Sequence, residues 1–155
     1  NGAPKHFLSW SNNLTWRNFD LSVFFRGTFG FDVFNMRKYG MGLQGCGTDN
    51  VLRSAYLEDK NIRTGGGVIS SYFLEDGSFI KLENVTLGYN FTPKNRKLLD
   101  NMRIYLSAKN LFTLTGYSGN DPSIIDVNGI QPGVDSNSAY PTATQLSLGV
   151  TLRFK

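Results

Sequence analysis

The sequence predicts an all-β protein, an antiparallel β-barrel that crosses a membrane. Three observations lead to this prediction: long segments of alternating apolar and polar residues, connections that are alternately short and long, and aromatic residues that fall at one level. Five segments alternate in this way, at about 7–16, 19–29, 78–91, 102–113 and 144–154. Successive side chains of a strand point to opposite faces, so each segment predicts a strand with one apolar and one polar face.

The last segment, 144–154, shows the alternation most clearly. Its apolar face carries Thr144, Leu146, Leu148, Val150, Leu152 and Phe154. The phase breaks once along the chain, in the third segment, where Lys81 and Glu83 fall on the face that becomes apolar from Val85 onward. A β-bulge, or emergence of the strand above the apolar zone, would explain this break.

The predicted strands are long enough to cross a bilayer. Each has ten residues or more, whereas a tilted transmembrane strand needs about 9–11 and soluble strands commonly have about 5–6. Their connections alternate in length, because Arg17-Asn18 and 92–101 are short while 30–77 and 115–141 are long. Outer-membrane barrels have short periplasmic turns and long extracellular loops, so we expect the two long connections on the extracellular side.

Aromatic residues fall at one level of the apolar faces. If the turn at Arg17-Asn18 marks the periplasmic side, the aromatic residues at that level are Trp16, Phe19, Tyr89, Phe91 and Phe154. Such a level is typical of the interfacial girdle of a membrane barrel. We therefore expect these five side chains to anchor the barrel at the membrane interface, against outer-membrane lipid.

The opposite faces carry residues that a dry protein core would not hold. These residues are Arg26, Arg103, Tyr105, Lys109 and Arg153. Burying an unpaired charge is costly, whereas a water-filled lumen solvates it, so we expect these side chains to face the lumen. A soluble β-sandwich with one exposed face per sheet is the alternative, because its strands show the same alternation.

Composition argues against several other classes of protein. No stretch holds 18 consecutive apolar residues, so no transmembrane helix is predicted. The net charge of +4 is spread along the chain, which predicts no nucleic-acid-binding face. The chain has one cysteine, Cys46, and one histidine, His6, so these residues form neither a zinc site nor a nucleophile–base pair. We interpret Cys46 as a free loop thiol.

The carboxylates indicate neither an active site nor a metal site. The adjacent pairs Glu58-Asp59 and Glu75-Asp76 point apart on an extended chain, so neither forms an acid–base dyad. The segment DPSIIDVNG loosely resembles a calcium loop through Asp121, Asp126 and Asn128, but it has neither the distal Glu nor the spacing of an EF-hand. We therefore predict no enzyme activity, no metal and no cofactor.

The number of strands predicts that the chain is part of a larger barrel. A first strand that descends to a periplasmic turn starts on the extracellular side, and five strands later the chain is on the periplasmic side. Bacterial barrels have an even number of strands and no free edge, so five strands cannot close. We expect a C-terminal piece whose earlier strands precede it.

Three blocks of sequence resemble one family. They are SSYFLEDGSFIKLENVTLGYNF at 70–91, MRIYLSAKNLFTLTGYSGNDP at 102–122 and AYPTATQLSLGVTLRF at 139–154. Each block is similar to a segment near the C-terminus of SusC/RagA-family TonB-linked outer-membrane proteins, and the three blocks occur in the family's order. In this family Glu75-Asp76-Gly77 would be part of a structural turn, and the last strand with Phe154 is similar to a signal for barrel assembly.

The resemblance implies active import across the outer membrane of a Gram-negative bacterium. It implies a barrel of about 22 strands around a plug, with the plug and the contact to TonB in a part of the protein outside this chain. The imported nutrient would be large, a glycan oligosaccharide foremost or a peptide, and a SusD-like surface lipoprotein would cover the extracellular mouth. A passive porin-like channel and a structural or adhesive barrel are alternatives with the same fold.

The two long connections are the expected contact region for the lid or the ligand. Aromatic rings stack on sugars, and the candidate residues are Tyr72, Phe73, Tyr117 and Tyr140. The alternative for each of these residues is that its ring packs one loop against another.

Overall fold

The computed structural model describes residues 1–42, 51–53, 69–93, 99–125, 130–136, 140 and 142–155. Its strands are β1 (His6–Trp16), β2 (Phe19–Phe29), β3 (Asp32–Asn35), β4 (Leu74–Asp76), β5 (Phe79–Phe91), β6 (Leu99–Thr115), β7 (Val134–Asp135) and β8 (Gln145–Phe154). It also contains a short helix, α1 (Met36–Met41), and two 3-10 turns, at Ser71–Phe73 and Pro122–Ile124. Over these ranges, no helix has the length and apolar character needed to cross a membrane.

The chain forms two compact units. The strand unit comprises Phe7–Gly27, Ile80–Leu114 and Thr142–Lys155, and the loop unit comprises Asn1–His6, Thr28–Phe79 and Thr115–Pro141. Five long strands form one sheet in the order β1-β2-β5-β6-β8, and three short strands form another in the order β4-β3-β7. The prediction of an all-β, antiparallel architecture is confirmed. Within this chain the edges of the long sheet are β1 and β8.

The pairing of β6 with β8 separates the two faces of the long sheet. The strands are antiparallel, and apolar residues lie opposite apolar residues: Met102–Leu152, Ile104–Val150, Leu106–Leu148 and Ala108–Leu146. The positions between them pair polar residues: Arg103–Thr151, Ser107–Ser147 and Lys109–Gln145. Cross-strand pairs on one face are the unit of sheet stabilisation, so this register makes one face wholly apolar and the other polar.

β6 is longer than the predicted strand at 102–113. It begins at Leu99 and ends at Thr115, because Leu99 and Asn101 pair with the end of β8 across a register shift. The sequence does not predict this extension, because Asp100-Asn101 is polar and is typical of a turn.

The phase of alternation breaks in the third segment, within β5, where two successive polar side chains contact the neighbouring strands. Glu83 pairs with Arg26 of β2, with its Oε2 3.3 Å from Nε. The next residue, Asn84, accepts through Oδ1 from the Ser107 hydroxyl of β6 at 3.4 Å. Two successive side chains of β5 therefore contact polar-face residues of the neighbouring strands. A β-bulge at this point stays a prediction.

The loop unit has its own sheet and its own core. β3 pairs antiparallel with β4, placing Val33 opposite Glu75, and pairs parallel with β7, placing Asn35 opposite Asp135. One cluster of buried apolar residues comprises Phe31, Val33, Phe79, Tyr117 and Ile125, and a second is built around Phe73. The Gly77 amide donates to the Phe31 carbonyl at 2.9 Å, and a Cβ at this glycine would overlap the Phe31 ring. The two long connections thus contribute to one folded unit.

The first long connection contains three short elements that the pattern of apolar and polar residues does not predict. The structure places β3, α1 and β4 within 30–77. The helix α1 begins after an N-cap at Asn35, whose side chain accepts from the Lys38 amide. Strands of three or four residues are too short to show an alternating pattern, which is why they were not predicted.

Candidate functional site

The apolar face of the strand unit is exposed. All five predicted interface residues lie among the exposed large hydrophobic side chains, for example Trp16 at 67% and Phe154 at 62%. Three of them are in contact, because the Trp16 and Phe19 ring centroids lie 6.4 Å apart and those of Phe19 and Tyr89 lie 4.8 Å apart. Soluble monomers rarely expose a contiguous apolar surface of this kind. The role of these residues as membrane anchors stays a prediction.

The polar face carries an ion pair that spans three strands. Arg103 of β6 donates to both carboxylate oxygens of Asp20 in β2, at 3.1 and 2.5 Å. Asn90 of β5, the strand between them, donates to the same carboxylate at 2.8 Å. The pair passes over Gly88, where an added Cβ would lie 2.5 Å from Asp20 Oδ1. The absence of a side chain at Gly88 therefore allows β2 and β6 to be linked across β5.

A second glycine on this face lies under an aromatic ring. Tyr105 is opposite Gly149 in the register of β6 with β8, and a Cβ at Gly149 would overlap the Tyr105 ring. The Arg103 guanidinium lies 5.1 Å from the centroid of the same ring. Aromatic cover of a strand glycine restores packing that the missing side chain would otherwise have provided.

The five residues predicted to face the lumen can now be placed in the strand unit. By register, Arg103, Tyr105 and Lys109 share the polar face of β6, and Arg153 lies opposite Asn101. Arg26 pairs with Glu83 in β5. Whether this face borders a lumen stays a prediction.

Replacing Gly88 by alanine should weaken the strand unit. The new Cβ would displace the Asp20 carboxylate, and we expect a loss of about 1–3 kcal/mol in the free energy of unfolding, as for other overpacked sites. The measurement is the urea midpoint of the folded protein. Gly116→Ala is the matched control, because nothing lies within 4 Å of a Cβ at that position.

A double substitution tests the assigned cause. If the carboxylate is what the new Cβ meets, Asp20→Ala removes the clash, and Gly88→Ala should then cost little in that background. Equal costs of Gly88→Ala with and without Asp20 would contradict this explanation.

In the loop unit, Glu75 joins the two long connections. Its carboxylate accepts from the Ser118 amide and the Ser118 hydroxyl, both at 2.8 Å. It also accepts from Asn35 Nδ2 at 3.4 Å, and the Lys38 ammonium lies 3.6 Å away. The neighbouring Asp76 points elsewhere and accepts from the Ser78 amide at 2.9 Å. The two carboxylates thus serve two different structural contacts.

The four aromatic candidates for ligand contact have different environments. Phe73 is only 2% exposed and packs against Phe34, Tyr39 and Tyr72. Tyr72 is half-buried, with the Lys38 ammonium 4.3 Å from its ring centroid. Tyr117 is buried in the core of the loop unit. These three rings pack within the loop unit, whereas Tyr140 is 88% exposed. Contact of any of the four residues with a ligand or a lid stays a prediction.

Tyr117 also makes a polar contact beneath the surface. Its hydroxyl donates to Asp135 Oδ2 at 2.5 Å. Burial raises the pKa of the Tyr117 hydroxyl, and the hydrogen bond to Asp135 raises it further. The phenol therefore remains protonated, and remains a donor to Asp135, throughout the physiological pH range.

An open cleft of about 370 Å³ lies beside this contact. Its described lining residues are Arg37, Met41, Asn120, Asp135 and Ser136. Arg37 Nη1 donates to Asn120 Oδ1 at 2.6 Å. Sequence reasoning missed this cleft, because its residues come from three separate segments and belong to no motif.

Metal ligation has no support in the described part of the chain. No group of three or more His, Cys, Asp or Glu side chains there is arranged to hold a metal ion. Asp121 instead caps the 3-10 turn that follows it, accepting from the Ser123 amide at 2.9 Å. Asp126 and Asn128 lie outside the described residues, as do Cys46 and the pair Glu58-Asp59.

No protein-family model matches the chain, but curated relatives do. It is 26% identical over 173 aligned residues to TonB-dependent receptor P3 of Formosa agariphila, covering 98% of this chain and 16% of that protein. It is 28% identical to TonB-dependent receptor SusC of Bacteroides thetaiotaomicron, covering 93% of this chain and 14% of SusC. The chain therefore spans about one sixth of the length of these relatives, which are named as receptors.

Solved structures share the fold. The chain superposes on the RagAB peptide importer in its open-open state with a TM-score of 0.74, and on the RagAB peptide transporter with a TM-score of 0.76. In both cases the identity is 24%, and the match covers 97% of this chain and 17% of the other. The relatives and the fold agree with the three sequence blocks: over nearly its whole length the chain is similar to part of a TonB-dependent receptor such as SusC.

Proposed function

We propose that the complete receptor imports a large nutrient, a glycan oligosaccharide or a peptide, across the outer membrane of a Gram-negative bacterium with energy from TonB. The observation that carries this proposal is the two-faced long sheet. One face is apolar and exposed, while the other carries charges paired across strands. A barrel wall between lipid and an aqueous lumen needs both faces. The named relatives, all TonB-dependent receptors, support the same activity.

In this proposal the two units have different tasks. The strand unit forms part of the barrel wall, with its aromatic level at the membrane interface and Arg103, Lys109 and Arg153 toward the lumen. The loop unit lies on the extracellular side and presents its surface, including Tyr140, to the ligand and to a SusD-like lipoprotein lid. Its internal core supports this task, because a folded loop unit holds a binding surface in place better than two separate loops.

Energy coupling separates this function from its alternatives. In the native bacterium, deletion of the receptor gene should abolish growth on one member of a panel of polysaccharides and peptide mixtures. Deletion of tonB should abolish the same growth, and an affinity-tagged receptor should retain a surface lipoprotein on purification. Restoration by a plasmid copy of the receptor gene is the control.

Two results would count against the proposal. Uptake that persists without TonB would indicate a passive channel. Growth on every nutrient of the panel after receptor deletion would favour a structural or adhesive barrel.

A further inference from the structure

We propose that the cleft of the loop unit binds a neutral sugar unit of the imported ligand through Arg37, Asn120 and Asp135. This inference rests on the proposed function. It narrows the proposed ligand from a glycan or a peptide to a neutral glycan. The cleft volume of about 370 Å³ lies within the range of small-ligand sites, roughly 300–1,000 Å³.

Two exposed polar side chains of the cleft, Arg37 and Asn120, are hydrogen-bonded to each other. Arg37 donates one N–H to Asn120 Oδ1 at 2.6 Å, which fixes the orientation of the amide. Four N–H groups of the guanidinium and both N–H groups of the amide are not used in that bond. These groups provide several hydrogen-bond donors on two linked side chains at the surface of the cleft.

Asp135 provides the acceptor. Asp135 is 9% exposed, and its Oδ2 accepts a hydrogen bond from the Tyr117 hydroxyl at 2.5 Å. An ionised carboxylate has about four lone-pair positions, so one bond from Tyr117 leaves it able to accept from a ligand. Because the Tyr117 hydroxyl stays protonated, it adds no second negative charge beside the Asp135 carboxylate.

The combination of groups favours sugar hydroxyls. A hydroxyl both donates and accepts, so neighbouring hydroxyls of a sugar can donate to Asp135 while accepting from Arg37 and Asn120. The charges of Arg37 and Asp135 cancel, which gives no preference for an anionic or a cationic ligand. Peptide sites usually include pockets for apolar side chains, whereas Met41 is the one large apolar residue among the described lining residues.

The test uses the purified full-length receptor in detergent on an array of neutral, sulfated and uronate-containing oligosaccharides, with short peptides on the same surface. We expect the receptor to select neutral oligosaccharides. Asn120→Ala and Arg37→Gln should each weaken that binding at least tenfold while the unfolding midpoint is unchanged. Asp135→Asn keeps one oxygen for Tyr117 and should weaken binding with the loop unit still folded.

Arg17→Gln is the matched control. It makes the same change of charge at an exposed turn of the strand unit, and it should leave binding unchanged. Unaltered binding in both Asn120→Ala and Arg37→Gln, or an equal loss in Arg17→Gln, would overturn the assignment of the cleft. Selection of peptides or of charged glycans would overturn the ligand class. None of these results bears on TonB-dependent uptake, which is measured separately in cells.

Discussion

Replacing Leu148 by arginine should prevent normal assembly of the receptor in the outer membrane. Leu148 is near the middle of β8, is 74% exposed and lies opposite Leu106 on the apolar face. An arginine on the lipid face near the bilayer midplane costs about 2–4 kcal/mol. The measurement is the amount of folded receptor in the outer-membrane fraction, together with the urea midpoint of what assembles.

The neighbouring residue provides the control for this substitution. Ser147 is exposed on the polar face, opposite Ser107, so Ser147→Arg adds the same side chain one position away on the other side of the sheet. If the polar face borders water, this variant should assemble close to the wild-type level. Similar assembly of the two variants would show that the apolar face does not contact lipid.

This contrast depends on the feature that the sequence predicted best. Alternation with a period of two determines the face of every residue once the strand is identified, because a slip by one residue would exchange the faces. The register of β6 with β8, including Leu106 opposite Leu148, follows that alternation without exception between Met102 and Lys109. Long strands show the pattern clearly, which is why the long sheet could be predicted.

The contacts that hold the molecule together could not be predicted in the same way. The link from Asp20 to Arg103 passes over Gly88, and it depends on which strands are neighbours, information that a local pattern does not carry. The aromatic residues of the long connections show the same limit. Phe73 and Tyr117 were candidates for ligand contact by residue type, yet their burial depends on distant partners in the loop unit. Composition does not distinguish an aromatic ring in a small core from one on a binding surface.

Replacing Glu75 by alanine should open the loop unit while leaving the strand unit intact. The Glu75 side chain is 15% exposed, and it accepts two hydrogen bonds at 2.8 Å from Ser118, across the two long connections. Hydrogen bonds to a charged group contribute about 1.5–3 kcal/mol each, so we expect a loss of roughly 3 kcal/mol in local stability. By that value, amide hydrogen exchange in β3 and β4 should become about a hundredfold faster.

Two further variants determine whether the hydrogen bonds are the cause. Glu75→Gln keeps one acceptor oxygen but places an amide N–H₂ toward a donor of Ser118 or Asn35, so it should lie between wild type and alanine. Asp76→Asn removes a charge at the next residue and keeps the oxygen that accepts from the Ser78 amide, so exchange in β3 should not change. If the proposed lipoprotein lid contacts the loop unit, it should also dissociate more readily from the alanine variant, in which Asn35 and Ser118 lose their shared partner. Faster exchange spread equally over β6 and β8 would mean that Glu75 supports the whole chain, and an unchanged rate in β3 would mean that its hydrogen bonds do not hold the loop unit closed.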